Sequence, residues 1–106
     1  MKINIKEQSL VAGFSAKIMR AGSIAIVFGK TIHLWNTSKK DFLQNKQWLR
    51  HELVHIEQFK KYGFVKFIFL YSWESAKKGY YKNKFEVEAR SKENDTNLET
   101  GLFLPD

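Results

Sequence analysis

The chain has no cysteine. That excludes a disulfide framework and any thiolate metal site, so a metal would have to be held by histidine, carboxylate and water. One proline and six glycines are too few for a low-complexity or disordered composition. Only 3 arginines accompany 15 lysines, which weighs against nucleic acid as a partner, because phosphate and base contacts favour the planar guanidinium. No base-reading motif is present either. Long apolar runs are missing: residues 64–73, FVKFIFLYSW, come nearest, and a membrane span needs ~20 apolar residues. No transmembrane segment is expected. The opening MKINIKEQSL has no long apolar core of a secretory signal, so a cytoplasmic location is expected.

What remains is a globular composition. With 106 residues, 43% hydrophobic and 15% aromatic, residues 1–106 should form one domain around one core. The formal charge is +7. Between Lys60 and Lys84 seven lysines stand against a single acid, Glu74. Such a surface suits an acidic substrate or peripheral contact with an anionic membrane, although a merely solvated lysine face is the plainer reading.

Alternation over residues 2–6 predicts a short strand. Ser9 can cap a helix to about Arg20, with Leu10, Phe14 and Ile18 recurring every four residues and Gly22 ending it. Two strands follow, Ser23–Phe28 and Thr31–Trp35, turned at Gly29-Lys30. Ser38 with Asp41 reads as a capping box, and Asn45 as the cap of a helix from Lys46 to Tyr62 that stops at Gly63. A helix over about Phe64–Lys78 is apolar nearly all round, a pattern expected of a sandwiched element. After a turn at Lys78-Gly79, a last helix spans about Asn83–Glu93, and residues 94–106 read as an irregular tail ending in an apolar LFLP. The fold class is α+β.

Residues 51–55 read HELVH. Inside a helix, His51 and His55 lie one turn apart on one face, where both imidazoles can reach one ion, and Glu52 lies beside that face as a general base. Shuffling the chain's 3 histidines and 8 glutamates produces this motif by chance roughly 0.4% of the time, so the spacing carries weight. Trp48, His51, His55 and Phe59 line one side of the helix, and Leu49, Leu53 and Ile56 form the adjoining apolar stripe.

One zinc ion with an open water position needs a third protein ligand. The only other histidine is His33. Gln58 and Lys61 stand where a metzincin needs glycine and histidine, which excludes that class. Glu57 points away from the histidine face, and Glu74 sits in a helix suited to packing. The FEVEAR segment lies on a helix that can return antiparallel to the active one, and Ala89 permits close approach. Glu86 is therefore the first choice as ligand, Glu88 the second and His33 the third.

HELVH followed by a helix bearing E-x-E-A resembles the gluzincin branch of zinc metallopeptidases. Within that branch it resembles the small minigluzincin domains and related uncharacterised bacterial peptidase domains, over about Gly29–Glu93. The resemblance implies a small zincin-like domain, a short sheet packed on the HExxH helix with further helices, in which His51, His55 and Glu86 bind zinc and Glu52 is the base. Where those families carry aspartate four residues after the ligand glutamate, this chain has Arg90. Glu93, Glu57 or a backbone carbonyl would then have to support a histidine ligand.

The expected activity is hydrolysis of a peptide or protein substrate by zinc-activated water, with Glu52 taking the proton. Tyr80, Tyr81 and His33 are candidate donors to the oxyanion, with Glu88 near the site. Thr31, Ile32, His33, Leu34 and Trp35 are expected to form an edge strand on which an extended substrate, or the tail residues Leu102–Pro105, adds as a further strand. The competing reading is a catalytically silent zinc-binding domain whose basic, aromatic surface binds a protein or an anionic membrane. An intact Glu52 favours the enzyme.

Overall fold

The computed structural model describes residues 2–19 and 22–100, and among these it contains five helices and three strands. The fold is α+β. In order they are β1 (Asn4–Lys6), α1 (Leu10–Met19), β2 (Ile24–Phe28), β3 (Thr31–Trp35), α2 (Lys39–Gln44), α3 (Lys46–Tyr62), α4 (Phe64–Lys82) and α5 (Lys84–Lys92). No described helix is long and apolar enough to cross a membrane.

The sheet order is β1-β3-β2. β3 pairs in parallel with β1 and antiparallel with β2, so Thr31–Trp35 is the central strand and both its edges are taken. This overturns the expected edge strand for substrate at Thr31, Ile32, His33, Leu34 and Trp35. Among the described residues, the unpaired edge on that side belongs to β2.

Alternation along β3 sorts its side chains between two layers. Ile32 and Leu34 are fully buried with Leu49, Leu53 and Ile56 of α3 in the main core. His33 and Trp35 face α1: Ser9 Oγ lies 2.8 Å from His33 Nδ1, and Trp35 packs in a smaller cluster with Ala12, Ala16 and Ile24. A Cβ on Gly13 would come within 2.7 Å of the Trp35 ring. α1 therefore lies on the sheet through small residues, and the expected stripe is turned the other way, leaving Leu10 83% and Phe14 67% exposed. Ile18 lies outside the described side chains.

α3 starts and stops as expected: Asn45 accepts from the Trp48 N–H, and the Gly63 N–H donates to the Phe59 carbonyl. α4 differs from expectation. Phe67 and Glu74 are buried along it, but Val65, Phe69 and Trp73 are solvent-exposed, so the helix is covered on one side only. Gly79, at φ 80° and ψ 170°, interrupts it, a conformation that costs glycine little.

Asn83 fixes the turn into α5. It is fully buried, accepts from the Phe85 N–H, and donates to the Tyr71 carbonyl and Ser75 Oγ at 3.0 and 2.8 Å. Glu74 accepts from the Lys84 N–H at 3.2 Å. Beyond α5, Leu98 packs on the main core and Glu99 pairs with Arg50 at 2.9 Å, so the irregular tail is anchored as far as Glu99. Leu102–Pro105 lie outside the described residues.

Candidate metal centre

His51 and His55 stand one turn apart on α3 with ring centroids 5.1 Å apart, as the i, i+4 relation requires. Glu86, in the first turn of α5, reaches back to both. Its Oε1 lies 2.9 Å from His51 Nε2 and 3.1 Å from His55 Nε2. Ala89, one turn on and fully buried, allows α5 to approach α3 closely. The ligand-capable atoms of the three residues all lie within 4.8 Å of one another, a group that can hold a metal ion.

The outer ring nitrogens show why a cation fits there. Gln58 Nε2 donates to the Phe85 carbonyl at 3.1 Å and to Glu88 Oε1 at 2.6 Å. Its Oε1, 2.8 Å from His55 Nδ1, can only accept, so that nitrogen carries a proton. Glu93 Oε2 lies 3.1 Å from His51 Nδ1 and imposes the same requirement there. With both Nδ1 atoms protonated and Glu86 ionised, each Nε2 could meet Glu86 Oε1 in the absence of metal only by carrying a second proton. A buried carboxylate would then face two imidazolium ions. One cation in place of those two protons leaves both rings neutral, with their Nε2 lone pairs turned inward.

Comparison with known protein families, curated proteins and solved structures finds no match.

The electrostatics follow from burial and this carboxylate. Burial alone would lower both histidines, but the Glu86 hydrogen bonds and the charge of Glu52 outweigh it; His51 is raised and His55 reaches about 9. Burial would raise Glu86, yet the hydrogen bonds from His51 and His55, with the Tyr71 hydroxyl, hold it well below the usual carboxylate range. Burial lifts Glu52 to about 7, opposed by His55 and His51 and reinforced by Glu86.

Two clefts meet at Glu52. One, of about 480 Å³, is mainly apolar and runs from Glu52, His55 and Glu86 between β2 and α4. The other, of about 420 Å³, passes His51, Trp48 and Glu93. Ile24, Ala25, Glu52 and Tyr80 line both.

Of the expected accessory residues, Tyr80 borders the clefts, and burial and the carboxylates of Glu86 and Glu52 push its hydroxyl pKa upward. Tyr81 does not line either cleft; it is 72% exposed and stacks with the Arg90 guanidinium. His33 is likewise held away, by Ser9. Burial, with the charge of Lys6, lowers its pKa. Glu88 faces Gln58 and not the histidines, so neither alternative ligand, Glu88 or His33, joins the cluster. Glu93 takes the place beside His51 that the sequence left open at Arg90.

Two residues escaped the sequence reading. Tyr71 donates to Glu86 Oε2, and Gln58 orients His55. Gln58 had a usable signal, since it lies three residues after His55 and shares its helix face. Tyr71 was hidden in an almost wholly apolar helix.

Proposed function

We propose that the protein is a zinc-dependent peptidase that holds one zinc ion through His51, His55 and Glu86. The carrying observation is the inward convergence of two Nε2 atoms, each with its Nδ1 already donating, on one carboxylate oxygen. Two imidazoles and a carboxylate, with no thiolate, suit a catalytic zinc that keeps a position open. Bound there, zinc would supply an acidified water and polarise a carbonyl.

The chain's own residues do the rest. Glu52 Oε accepts a proton from the attacking water and passes it to the leaving nitrogen; it lies at the junction of the two clefts, next to the histidine pair. Tyr71 fixes the second oxygen of Glu86 and so is committed to orienting that ligand. The Tyr80 hydroxyl, at the cleft edge beside Glu86, is the donor assigned to a developing oxyanion. An extended peptide adds to the open edge of β2, where Ile24 and Ala25 line the clefts on either side of Glu52.

The test is turnover of a fluorogenic peptide library by zinc-loaded protein and by its Glu52→Gln variant. Hydrolysis that falls roughly 10²–10⁴-fold in the variant, with metal content unchanged, supports the reading. Equal turnover by both proteins, or none by the loaded wild type, refutes it.

A further inference from the structure

The outward faces of α1 and α4 remain unexplained by the site. On α4, Val65, Phe69 and Trp73 are 66%, 73% and 65% exposed. They recur every four residues, and with Lys66 and Lys77 they occupy about 120° of the helix circumference. Lys77 lies over the Trp73 ring at 5.7 Å. On α1, Leu10 and Phe14 are exposed in the same way, with Lys17 one turn further on.

The two faces border one opening. Phe14 and Ser15 of α1 and Ile68 and Ser72 of α4 line the larger cleft. Ser72 is itself exposed, so the cleft opens beside the Phe69–Trp73 row. The charge here is mainly positive. Leu10–Met19 contains no acid, and the one acid of α4, Glu74, is buried, accepts from the Lys84 N–H and pairs with Lys77 and Lys78 at 3.5 and 3.4 Å, so the net positive charge of this face rests on Lys17 and Lys66.

We propose that this face docks on an anionic lipid bilayer, with the cleft mouth lying against the membrane surface. Aromatic side chains flanked by lysine match the boundary between acyl chains and acidic headgroups. A second copy of the chain is a poorer occupant, because a two-fold contact would set lysine rows against each other. The docking does not depend on hydrolysis, so it stands or falls separately from the peptidase reading.

The experiment is co-sedimentation of the full chain with vesicles of phosphatidylcholine alone, or mixed with phosphatidylglycerol, followed also by tryptophan emission. Binding to the mixed vesicles only, weakened by salt, with a blue shift that Trp73→Phe removes, is the expected result. The Phe69→Ser/Trp73→Ser variant and, separately, the Lys17→Glu/Lys66→Glu variant should each bind about tenfold more weakly. Both should keep the wild-type circular dichroism and metal content. No binding to either vesicle, equal binding to both, or unchanged binding by the serine variant overturns the proposal. A lipid-free dimer dissolved by the serine substitutions would also overturn it, by making a second copy the occupant.

Discussion

Gln58 presents its carbonyl oxygen to His55 Nδ1 at 2.8 Å, and cannot present its amide instead because both amide hydrogens are used on Phe85 and Glu88. One glutamine thereby sets the ring tautomer that leaves Nε2 free to bind a metal. Gln58→Leu should preserve the fold and lower zinc affinity about 10- to 100-fold, as loss of such a partner commonly does. Competition against a chromophoric chelator measures it. Affinity equal to wild type would show that the ring is oriented by packing alone.

Glu86 and Glu88 are two residues apart, yet only Glu86 meets the histidines. Glu86→Ala should abolish stoichiometric zinc binding, whereas Glu88→Ala, which removes a partner of Gln58 and of the exposed Lys92, should weaken it by less than Gln58→Leu does. Isothermal titration of both variants decides. The reverse order would mean that α5 presents the other carboxylate to the ion.

The metal-free protein and the metal complex should respond to pH in opposite directions. His55 is raised from 6.5 to about 9 by its bond to Glu86, against the effect of burial. A group raised on folding contributes stability that is complete below about pH 6.5 and lost as pH climbs through about 9. Glu52, raised from 4.5 to about 7, acts with the same sign at lower pH. In chelator, the melting temperature should therefore fall between about pH 6.5 and 9. With zinc, affinity should rise over that interval, because binding displaces the ring protons. Calorimetry in buffers of different ionisation enthalpy counts those protons, and a count of zero would contradict the tautomer assignment.

Gly13→Ala tests the close approach of α1 to the sheet. In an exposed helix the change would stabilise, but here the added Cβ meets the Trp35 ring at 2.7 Å. A loss of about 1–3 kcal/mol in urea unfolding is expected. A gain would show that the ring moves aside freely.

Local signals were legible in the sequence and pairings across the chain were not. Asn45, Gly63 and Asn83 mark helix ends through bonds to their own neighbours, so the helix carrying His51 and His55 and the helix carrying Glu86 could be drawn from their residues. β3 was misplaced because alternation says which side chains share a face and nothing about which strand lies alongside. Its parallel neighbour β1 is joined to it through both α1 and β2. The outward stripe of α1 was misread for a related reason. Apolar periodicity identifies a face, but the bulk of Trp35 across the interface selected the face of Ala12, Gly13 and Ala16. Glu74 was set aside as a ligand because its helix is suited to packing, and its bond to the Lys84 N–H ties that helix to the start of the next.

The reach of Glu86 back to His51 and His55 has a topological consequence. An ion held by all three would join α3 to α5 and close a loop of chain that contains the whole of α4. In a protein without cysteine, that ion would be a removable cross-link, doing for the loop what a disulfide does elsewhere, by restricting the open ensemble. Its removal would free the α4–α5 hairpin to swing from the sheet before the rest of the core melts. Hydrogen exchange in chelator would register this as lost protection over residues 64–92, ahead of α3 and the strands.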